Sequence, residues 1–264
     1  MFNITTIKEV ETVGWIKANT IVHGDCLQVM EYIADRSVDL ILADPPYGTT
    51  ACKWDSIIPL EPMWKHLKRI IKPNRAIVIT ASQPFTTTLI SSNMDMFKYC
   101  WVWEKNRATN FPNAKRRPLT AHEDIIVWIN GKLWYNPQKT KGHNPTNSAK
   151  GASQGKIYHG NNIRNYKGGD TTRFPRTIQK FKCERGFHST QKPVALMEYL
   201  IKTYTNPGET VLDFAVGSGT TPIACENTDR KWIAIEKDKD IFNTAIKRII
   251  NSTKQYKIFN GNFK

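Results

Sequence analysis

The sequence predicts an α/β protein built on a doubly wound, mostly parallel sheet. Short apolar runs of strand length, such as residues 38–43 and 231–235, alternate with segments that carry helix signals. This alternation favours a parallel sheet with helices on both faces. The chain has 264 residues, 40% of them hydrophobic, which is enough for one large domain that carries a sizeable insertion.

Four strands are predicted in the first half of the chain, at residues 38–43, 75–80, 99–103 and 124–129. A helix is predicted between the first two, over residues 63–71, because Pro62 stands at its start and Pro73 just after its end. Asn130-Gly131 ends the fourth strand.

The last part of the chain returns to the same alternation. Pro207-Gly208 stops the first predicted helix of this part. We expect helices at 194–205, from 220 onward and at 239–250, and strands at 210–214 and 231–235. A second β-α-β unit is therefore carboxy-terminal.

The net charge of +15 comes almost entirely from the middle of the chain. Residues 105–192 hold 18 Lys and Arg against four acids, whereas the remainder has 20 basic and 19 acidic groups. Aromatic residues are interleaved with these cations, as on a surface that binds a polyanion. The alternative is a solvated basic loop, and residues 139–172, rich in Gly and polar residues, do predict long loops. The candidate polyanion contacts are Lys105, Arg107, Lys115, Arg116, Arg117, Arg173 and Arg176.

Cysteine spacing and hydropathy exclude several classes of protein. The five cysteines form no CxxC pair, so neither a zinc knuckle nor a disulfide framework is indicated. The longest apolar runs are too short for a membrane-spanning helix, and the amino terminus lacks the pattern of a signal peptide. We therefore expect a cytoplasmic protein without a membrane partner.

The most specific short motif is Asp44-Pro45-Pro46-Tyr47, directly after the first predicted strand. In open α/β sheets, ligands bind at the carboxyl ends of the strands. An exocyclic amine is a poor nucleophile because its lone pair is delocalised into the ring. The Asp44 carboxylate and the Pro45 carbonyl could accept its hydrogens, and Tyr47 offers an aromatic face to a base. A double proline that merely ends a strand would leave the flanking Asp and Tyr unexplained.

A glycine turn and a later acid predict a nucleoside-containing cofactor. Gly217-Ser218-Gly219 lies between a predicted strand and a helix, where backbone N–H groups approach a ligand. Pro222 stands where a GxGxxG dinucleotide site would have its third glycine, which argues against a nicotinamide cofactor. The next strand ends at Glu236, where α/β folds use an acid to bind ribose hydroxyls.

Together, Asp44-Pro45-Pro46-Tyr47, Thr190-Gln191-Lys192-Pro193 and Asp213 with Gly217-Ser218-Gly219 resemble the β class of DNA amino-methyltransferases. The resemblance covers about residues 19–129 and 187–250. It implies a Rossmann-like methyltransferase sheet, S-adenosyl-L-methionine as the cofactor, double-stranded DNA as the partner, no metal, and a homodimer as one candidate assembly. The implied divisions are 1–130 for the catalytic half, 131–187 for the inserted basic target-recognition region and 188–264 for the cofactor-binding half.

The resemblance also assigns roles to single residues. Asp44, Pro45, Pro46 and Tyr47 become the catalytic tetrapeptide, and the basic residues named above become DNA contacts. The implied cofactor-binding residues are Asp25 near the adenine, Thr190 and Lys192 at the methionine end, the turn residues Asp213, Ala215, Gly217 and Gly219, and Glu236 at the ribose. The chain departs from the family at Ala215, where an aromatic residue is frequent, and at Ser189, where the family usually has proline.

The implied reaction is direct methyl transfer to N6 of an adenine that has rotated out of the duplex. Transfer to N4 of cytosine uses the same amine chemistry and stays open, although Asp44 favours adenine. Transfer to C5 of cytosine would need a cysteine that follows a proline, and no cysteine here does. A DNA-binding relative that has lost catalysis, and an RNA or protein methyltransferase, are further alternatives.

Overall fold

The computed structural model describes residues 2–50, 55–153, 162–184, 186 and 191–261, with the backbone alone at 149–153, 162–166 and 253–261. The chain divides into a large unit, Met1–Asn136 with Thr177–Lys264, and a small unit, Pro137–Arg176. The small unit covers fewer residues than the predicted inserted region, 131–187. The flanking residues belong to the large unit because, for example, the Asn136 amide donates a hydrogen bond to the Thr203 carbonyl.

The described residues form eleven strands. They are β1 (Asn3–Thr6), β2 (Thr20–His23), β3 (Val38–Ala43), β4 (Ile71–Ala81), β5 (Phe97–Thr109), β6 (Thr120–Ile129), β7 (Ala149–Ser153), β8 (Asn162–Tyr166), β9 (Ile178–Phe181), β10 (Thr210–Asp213) and β11 (Lys231–Glu236). Nine of them make one sheet in the order β1-β2-β11-β10-β3-β4-β6-β5-β9, and β7 with β8 makes an antiparallel pair in the small unit.

Seven α-helices accompany these strands in the described part of the chain. They are α1 (Ile7–Val13), α2 (Cys26–Val29), α3 (Leu60–Ile70), α4 (Phe85–Ser91), α5 (Val194–Tyr204), α6 (Thr220–Glu226) and α7 (Lys239–Gly261). None of these described helices is both long and apolar enough to cross a membrane.

The strands of the large sheet are mostly parallel. Strands β1, β2, β11, β10, β3 and β4 pair in parallel, whereas β6 runs antiparallel to both of its neighbours, β4 and β5. The beginning of β6 therefore lies at the same edge of the sheet as the carboxyl ends of β3 and β4. This reversal brings residues from the β5–β6 connection to the edge where ligands bind.

Helices cover both faces of the sheet. Along β3, Ile41 belongs to one buried cluster, and Leu40 and Leu42 belong to the other, because successive side chains of a strand point to opposite faces. The first cluster includes Met63 and Leu67 of α3, and the second includes residues of α5, α6 and α7. Each such buried side chain contributes about 1.5–3 kcal/mol of hydrophobic stabilisation. The prediction of a doubly wound, mostly parallel Rossmann-like sheet is confirmed.

The predicted elements agree with the structure best where apolar runs are longest. Strand β3 begins and ends as predicted, whereas β5 extends to Thr109 and α3 begins at Leu60. The prediction did not include β1, α1, β2, α4 or β9, which are short or lie at the edge of the sheet. The expectation of loops throughout residues 139–172 was wrong for β7 and β8.

Candidate active site

A cavity of about 1370 Å³ lies at the carboxyl edge of the sheet in the large unit. Its wall combines the tetrapeptide after β3, the glycine turn after β10, the end of β11 and the connection between β5 and β6. Pockets for one small molecule are usually about 300–1,000 Å³. The cavity therefore has room for a cofactor together with a second group.

Asp44 lies in the wall of this cavity and is held by three donors. Its Oδ1 accepts hydrogen bonds from the Tyr47 hydroxyl at 2.6 Å and from the Thr80 hydroxyl. Its Oδ2 accepts from Lys192 Nζ at 2.6 Å. A carboxylate offers about four lone-pair sites, so these donors leave about one for a ligand. The arrangement presents Asp44 as a fixed acceptor with its orientation set by the protein.

Lys192 belongs to a buried charge network made of Asp44, Lys192, Glu123 and Lys105. Lys192 Nζ lies 2.6 Å from Asp44 Oδ2 and 3.0 Å from Glu123 Oε2, and Lys105 Nζ pairs with Glu123 Oε1. The Lys192 side chain is only 5% exposed. The charges of the four groups alternate, so each buried ion has a neighbour of opposite charge.

The network keeps Glu123 and Lys192 ionised. Burial raises the pKa of Glu123, but the Lys192 and Lys105 ammonium groups outweigh that effect and bring it below its ordinary value. Burial likewise lowers the pKa of Lys192, but Asp44 and Glu123 outweigh it and raise the pKa above its ordinary value. Lys192 is therefore a permanent cation at neutral pH, bound between two carboxylates.

Tyr47 is fixed by a second aromatic ring. It stacks on the buried Phe85 of α4, with ring centroids 5.5 Å apart and an interplanar angle of 22°. Lys192 Nζ lies 5.6 Å from the centroid of the Tyr47 ring. Burial raises the pKa of Tyr47 well above its usual value, so its hydroxyl remains a donor to Asp44.

Asp55 fixes the backbone that follows the tetrapeptide by hydrogen bonds. Its carboxylate accepts hydrogen bonds from the backbone N–H groups of Gly48 (2.9 Å), Thr49 (2.9 Å) and Thr50 (2.6 Å). Gly48 has a φ of +66°, and an added Cβ would lie 2.8 Å from the Ile57 side chain. The turn after Tyr47 thus needs both a glycine and this carboxylate.

The glycine turn after β10 surrounds the buried carboxylate of Asp213. Its oxygens accept from the Ala215 amide at 3.1 Å and from the Thr221 hydroxyl at 2.5 Å. Burial raises the pKa of Asp213 to about 7, against these two hydrogen bonds and with help from the charges of Asp44 and Glu236. Asp213 therefore changes its protonation near neutral pH, and its ionised form suits a cationic ligand.

Glu236 at the end of β11 holds the turn from the other side. Its Oε2 accepts from the Gly217 amide at 2.9 Å and its Oε1 from the Asp238 amide at 2.9 Å. Burial raises the pKa of Glu236 above its ordinary value. Gly219, with φ +85°, is the N-cap residue immediately before α6, and an added Cβ would lie 3.2 Å from Ile249. The turn therefore packs closely against α7.

The remaining predicted cofactor residues have different surroundings. Asp25 lines the cavity, caps α2 through the Leu27 amide at 2.9 Å and pairs with Lys237 at 3.0 Å. Lys192 contacts Asp44 as described above, and Thr190 lies outside the described residues. The structure thus brings Asp25, Lys192, Asp213, Ala215, Gly217 and Glu236 to one cavity with the tetrapeptide.

The predicted DNA contacts fall into three groups. Arg107, Lys115, Arg116 and Arg117 are exposed on β5 and the turn that follows it. Arg176 is exposed in the small unit, whereas the Arg173 guanidinium donates to the carbonyls of Asp170 (2.9 Å), Thr172 (2.8 Å) and Asn144. These hydrogen bonds give Arg173 a structural role within the small unit, and it is also a candidate DNA contact.

The prediction for Lys105 needs correction. Its side chain is 9% exposed and its ammonium group is paired with Glu123. A contact with a phosphate would require breaking that buried ion pair, which typically costs about 3–5 kcal/mol. We therefore assign Lys105 to the charge network.

Sequence reasoning missed four residues of the site: Thr80, Phe85, Glu123 and Asp55. Thr80 and Glu123 could have been noticed as polar residues next to the apolar runs of β4 and β6. Phe85 and Asp55 carry no such signal, because their partners are fixed by the fold. Thr80, Phe85 and Glu123 come close to the tetrapeptide only in three dimensions, whereas Asp55 follows Tyr47 by eight residues along the chain.

Comparison with known proteins identifies the family. The arrangement of a parallel sheet, a glycine turn and an Asp-Pro-Pro-Tyr loop defines a methyltransferase-like site. The profile of the DNA methylase family, which covers N6 and N4 enzymes, matches residues 38–247. The chain belongs to this family of β-class DNA amino-methyltransferases and is a DNA methyltransferase.

Two curated relatives match most of the chain. DNA adenine methyltransferase YhdJ of Escherichia coli (strain K12) is 30% identical over 88% of this chain and 83% of its own length. Type II methyltransferase M2.LlaDCHI of Lactococcus lactis subsp. cremoris is 27% identical over 88% and 90%.

Solved structures agree with this assignment. The crystal structure of the M1.HpyAVI–SAM complex has a TM-score of 0.61 and 28% identity, and the match covers 86% of this chain and 98% of that one. The cytosine-N4-specific PvuII DNA methyltransferase has a TM-score of 0.63 over 94% and 95%, and at 16% identity it supports the fold alone.

Proposed function

We propose that this DNA methyltransferase transfers a methyl group from S-adenosylmethionine to N6 of adenine in double-stranded DNA. The observation that carries the proposal is the Asp44 carboxylate, which three protein donors fix in the wall of a cavity large enough for both cofactor and base. A fixed acceptor of this kind orients an amine better than a mobile side chain could.

The residues around the glycine turn fit the cofactor. Asp213 and Glu236 provide negative charge, and Gly217 faces open space, since an added Cβ would meet no atom within 4 Å. Glu236 would hold the ribose hydroxyls, and Asp25 would lie near the adenine. The turn from Asp213 to Gly219 would hold the cofactor, with Lys192 and Thr190 facing its methionine end. When bound, S-adenosylmethionine supplies an electrophilic methyl group on a positively charged sulfur.

The remaining chemistry belongs to the residues near Asp44. A base that has left the duplex would stack on Tyr47, whose ring is already braced by Phe85. Asp44 and the Pro45 carbonyl would accept the hydrogens of the exocyclic amine and orient its lone pair towards the methyl group. Lys192 holds Asp44 in place, and Glu123 with Lys105 holds Lys192. The proton that the amine loses would pass first to Asp44, its nearest acceptor.

Adenine is favoured over cytosine by two observations. The first residue of the tetrapeptide is Asp, and the relative with 30% identity is a DNA adenine methyltransferase. Transfer to N4 of cytosine remains the second candidate, because the same acceptors serve either amine. A cytoplasmic location and a homodimer are further parts of the proposal, and light scattering after size exclusion would test the dimer.

The test is to identify the product. Purified protein is incubated with S-adenosylmethionine and unmethylated duplex DNA, and the nucleosides are then analysed by mass spectrometry. We expect N6-methyladenine in the product of the wild type and none with Asp44→Ala, although that variant should still bind the cofactor by calorimetry. N4-methylcytosine would overturn the choice of base. Cofactor binding without any methylated DNA would favour an RNA substrate or a chain that has lost catalysis on DNA.

A further inference from the structure

The connection between β5 and β6 ends in an ordered turn at the cavity. Asn110 has a left-handed backbone (φ +69°), and Asn113 Nδ2 donates to Asn110 Oδ1 at 2.7 Å. The amides of Arg116 and Arg117 both donate to the Asn113 carbonyl, at 2.8 and 3.0 Å. Asn110, Arg117 and Leu119 line the cavity. The turn of residues 110–119, called here the mouth turn, is therefore built into the cavity wall.

Phe111 stands exposed on the mouth turn. Its exposed fraction is 78%, higher than that of any other large hydrophobic residue in the described part of the chain. Burial of a phenylalanine side chain is strongly favourable. An exposed ring contributes little to the stability of the free protein, and it would gain that free energy if a partner covered it. The following residue, Pro112, restricts the backbone of this turn.

The charge around Phe111 indicates what the partner is. Lys115, Arg116 and Arg117 are exposed on the same turn, and residues 105–122 contain no Asp or Glu. An exposed aromatic ring on a turn that also carries three exposed cations fits a polyanion with an apolar interior, which describes duplex DNA: phosphates outside and stacked bases inside. Since the turn lines the cavity that holds Asp44, the DNA would lie where its target base has to enter.

We propose that Phe111 is a wedge that enters the base stack at the target site and occupies the space left by the base that turns into the cavity. The proposal rests on the proposed function, because it assumes that a base leaves the duplex. Stacking of an aromatic ring on a base is worth on the order of five- to 150-fold in an equilibrium constant. Loss of the ring should therefore slow methylation of paired DNA by about 10- to 100-fold.

The test compares Phe111→Ala on two substrates under single-turnover conditions. One is a duplex with the target base paired, and the other has an abasic site opposite the target, so that the base leaves the stack at little cost. We expect the variant to be slow on the paired duplex and within about threefold of the wild type on the abasic one. Phe111→Trp should retain activity on both. A fluorescent adenine analogue (2-aminopurine) at the target should brighten with the wild type and less with Phe111→Ala.

Trp15→Ala is the matched control, because Trp15 is also aromatic and 57% exposed but lies between α1 and β2, whereas Phe111 directly follows Asn110 of the cavity wall. It should behave as the wild type on both substrates. Equal losses on the paired and abasic duplexes, or full activity of Phe111→Ala on paired DNA, would overturn the wedge while leaving the methyltransferase assignment intact. A wild type that methylates neither duplex would overturn the proposed function, and this inference with it.

Discussion

Removal of the Lys192 ammonium group is the sharpest test of the charge network. Lys192→Met keeps most of the side-chain length but takes away the cation that lies 2.6 Å from Asp44 and 3.0 Å from Glu123. The two carboxylates would then face each other across the vacated position with only Lys105 to compensate. The variant should lose both stability and activity, for separate reasons.

The magnitude follows from these distances. Both carboxylates lie within 3.0 Å of one nitrogen, so their oxygens are at most about 6 Å apart. At an effective dielectric constant of about 20, two like charges at that distance repel by about 3 kcal/mol. Deleting one partner of a buried pair costs about 3–5 kcal/mol in measured cases. We expect a loss of about 3 kcal/mol in the free energy of unfolding and at least a 100-fold fall in kcat.

Urea unfolding and a radiolabelled methyl-transfer assay would measure the two effects. The double variant Lys192→Met/Asp44→Asn should regain about 2 kcal/mol, because Asp44 is the carboxylate left without a cation, whereas Glu123 keeps Lys105. It should stay inactive, since the Asp44 carboxylate is gone. Lys202→Met is the control: Lys202 pairs with Glu198 at 3.5 Å with 44% of its side chain exposed, so the loss should stay below about 1 kcal/mol. An unchanged urea midpoint for Lys192→Met would refute the network.

Three further predictions concern the cofactor turn and the mouth turn. Because burial raises the pKa of Asp213 to about 7, its carboxylate is protonated below that pH, and calorimetry should find that affinity for the cationic cofactor rises as the pH is raised through 7. The dependence should be weaker for S-adenosylhomocysteine, which lacks the sulfonium charge, and a flat profile for both would contradict the argument. Gly219→Ala, at φ +85° and 3.2 Å from Ile249, should lower the thermal midpoint more than Gly217→Ala, whose Cβ meets nothing within 4 Å; equal effects would show that packing is irrelevant. Replacing Lys115, Arg116 and Arg117 with Ala should weaken DNA binding on all sequences and reduce the salt dependence of log Kd by about one for each cation that contacts a phosphate; an unchanged slope would remove these residues from the interface.

Most of the fold was predictable because its strands are buried on both faces. All six residues of Val38–Ala43 are buried, and five of them are apolar. A nearly continuous hydrophobic run of this length predicts the strand without knowledge of the neighbouring strands. Short elements such as β2 and α4 escaped prediction because four to seven residues give little periodic signal. Strand β9 escaped because its side chains are mostly exposed or half-buried.

The candidate site also has a part that the sequence predicts and a part that only the tertiary structure brings together. The sequence alone determined the tetrapeptide, the glycine turn and Glu236, because each follows a recognisable strand, and the carboxyl ends of parallel strands meet at one edge. Only the tertiary structure joined Lys192 to Asp44, 148 positions apart, and brought Glu123 and Lys105 to the same place. That encounter depends on the antiparallel insertion of β6 between β4 and β5, which puts the start of β6 beside the ends of parallel strands. Charge pairing acts over a few ångströms in space, whereas a sequence pattern records only separation along the chain.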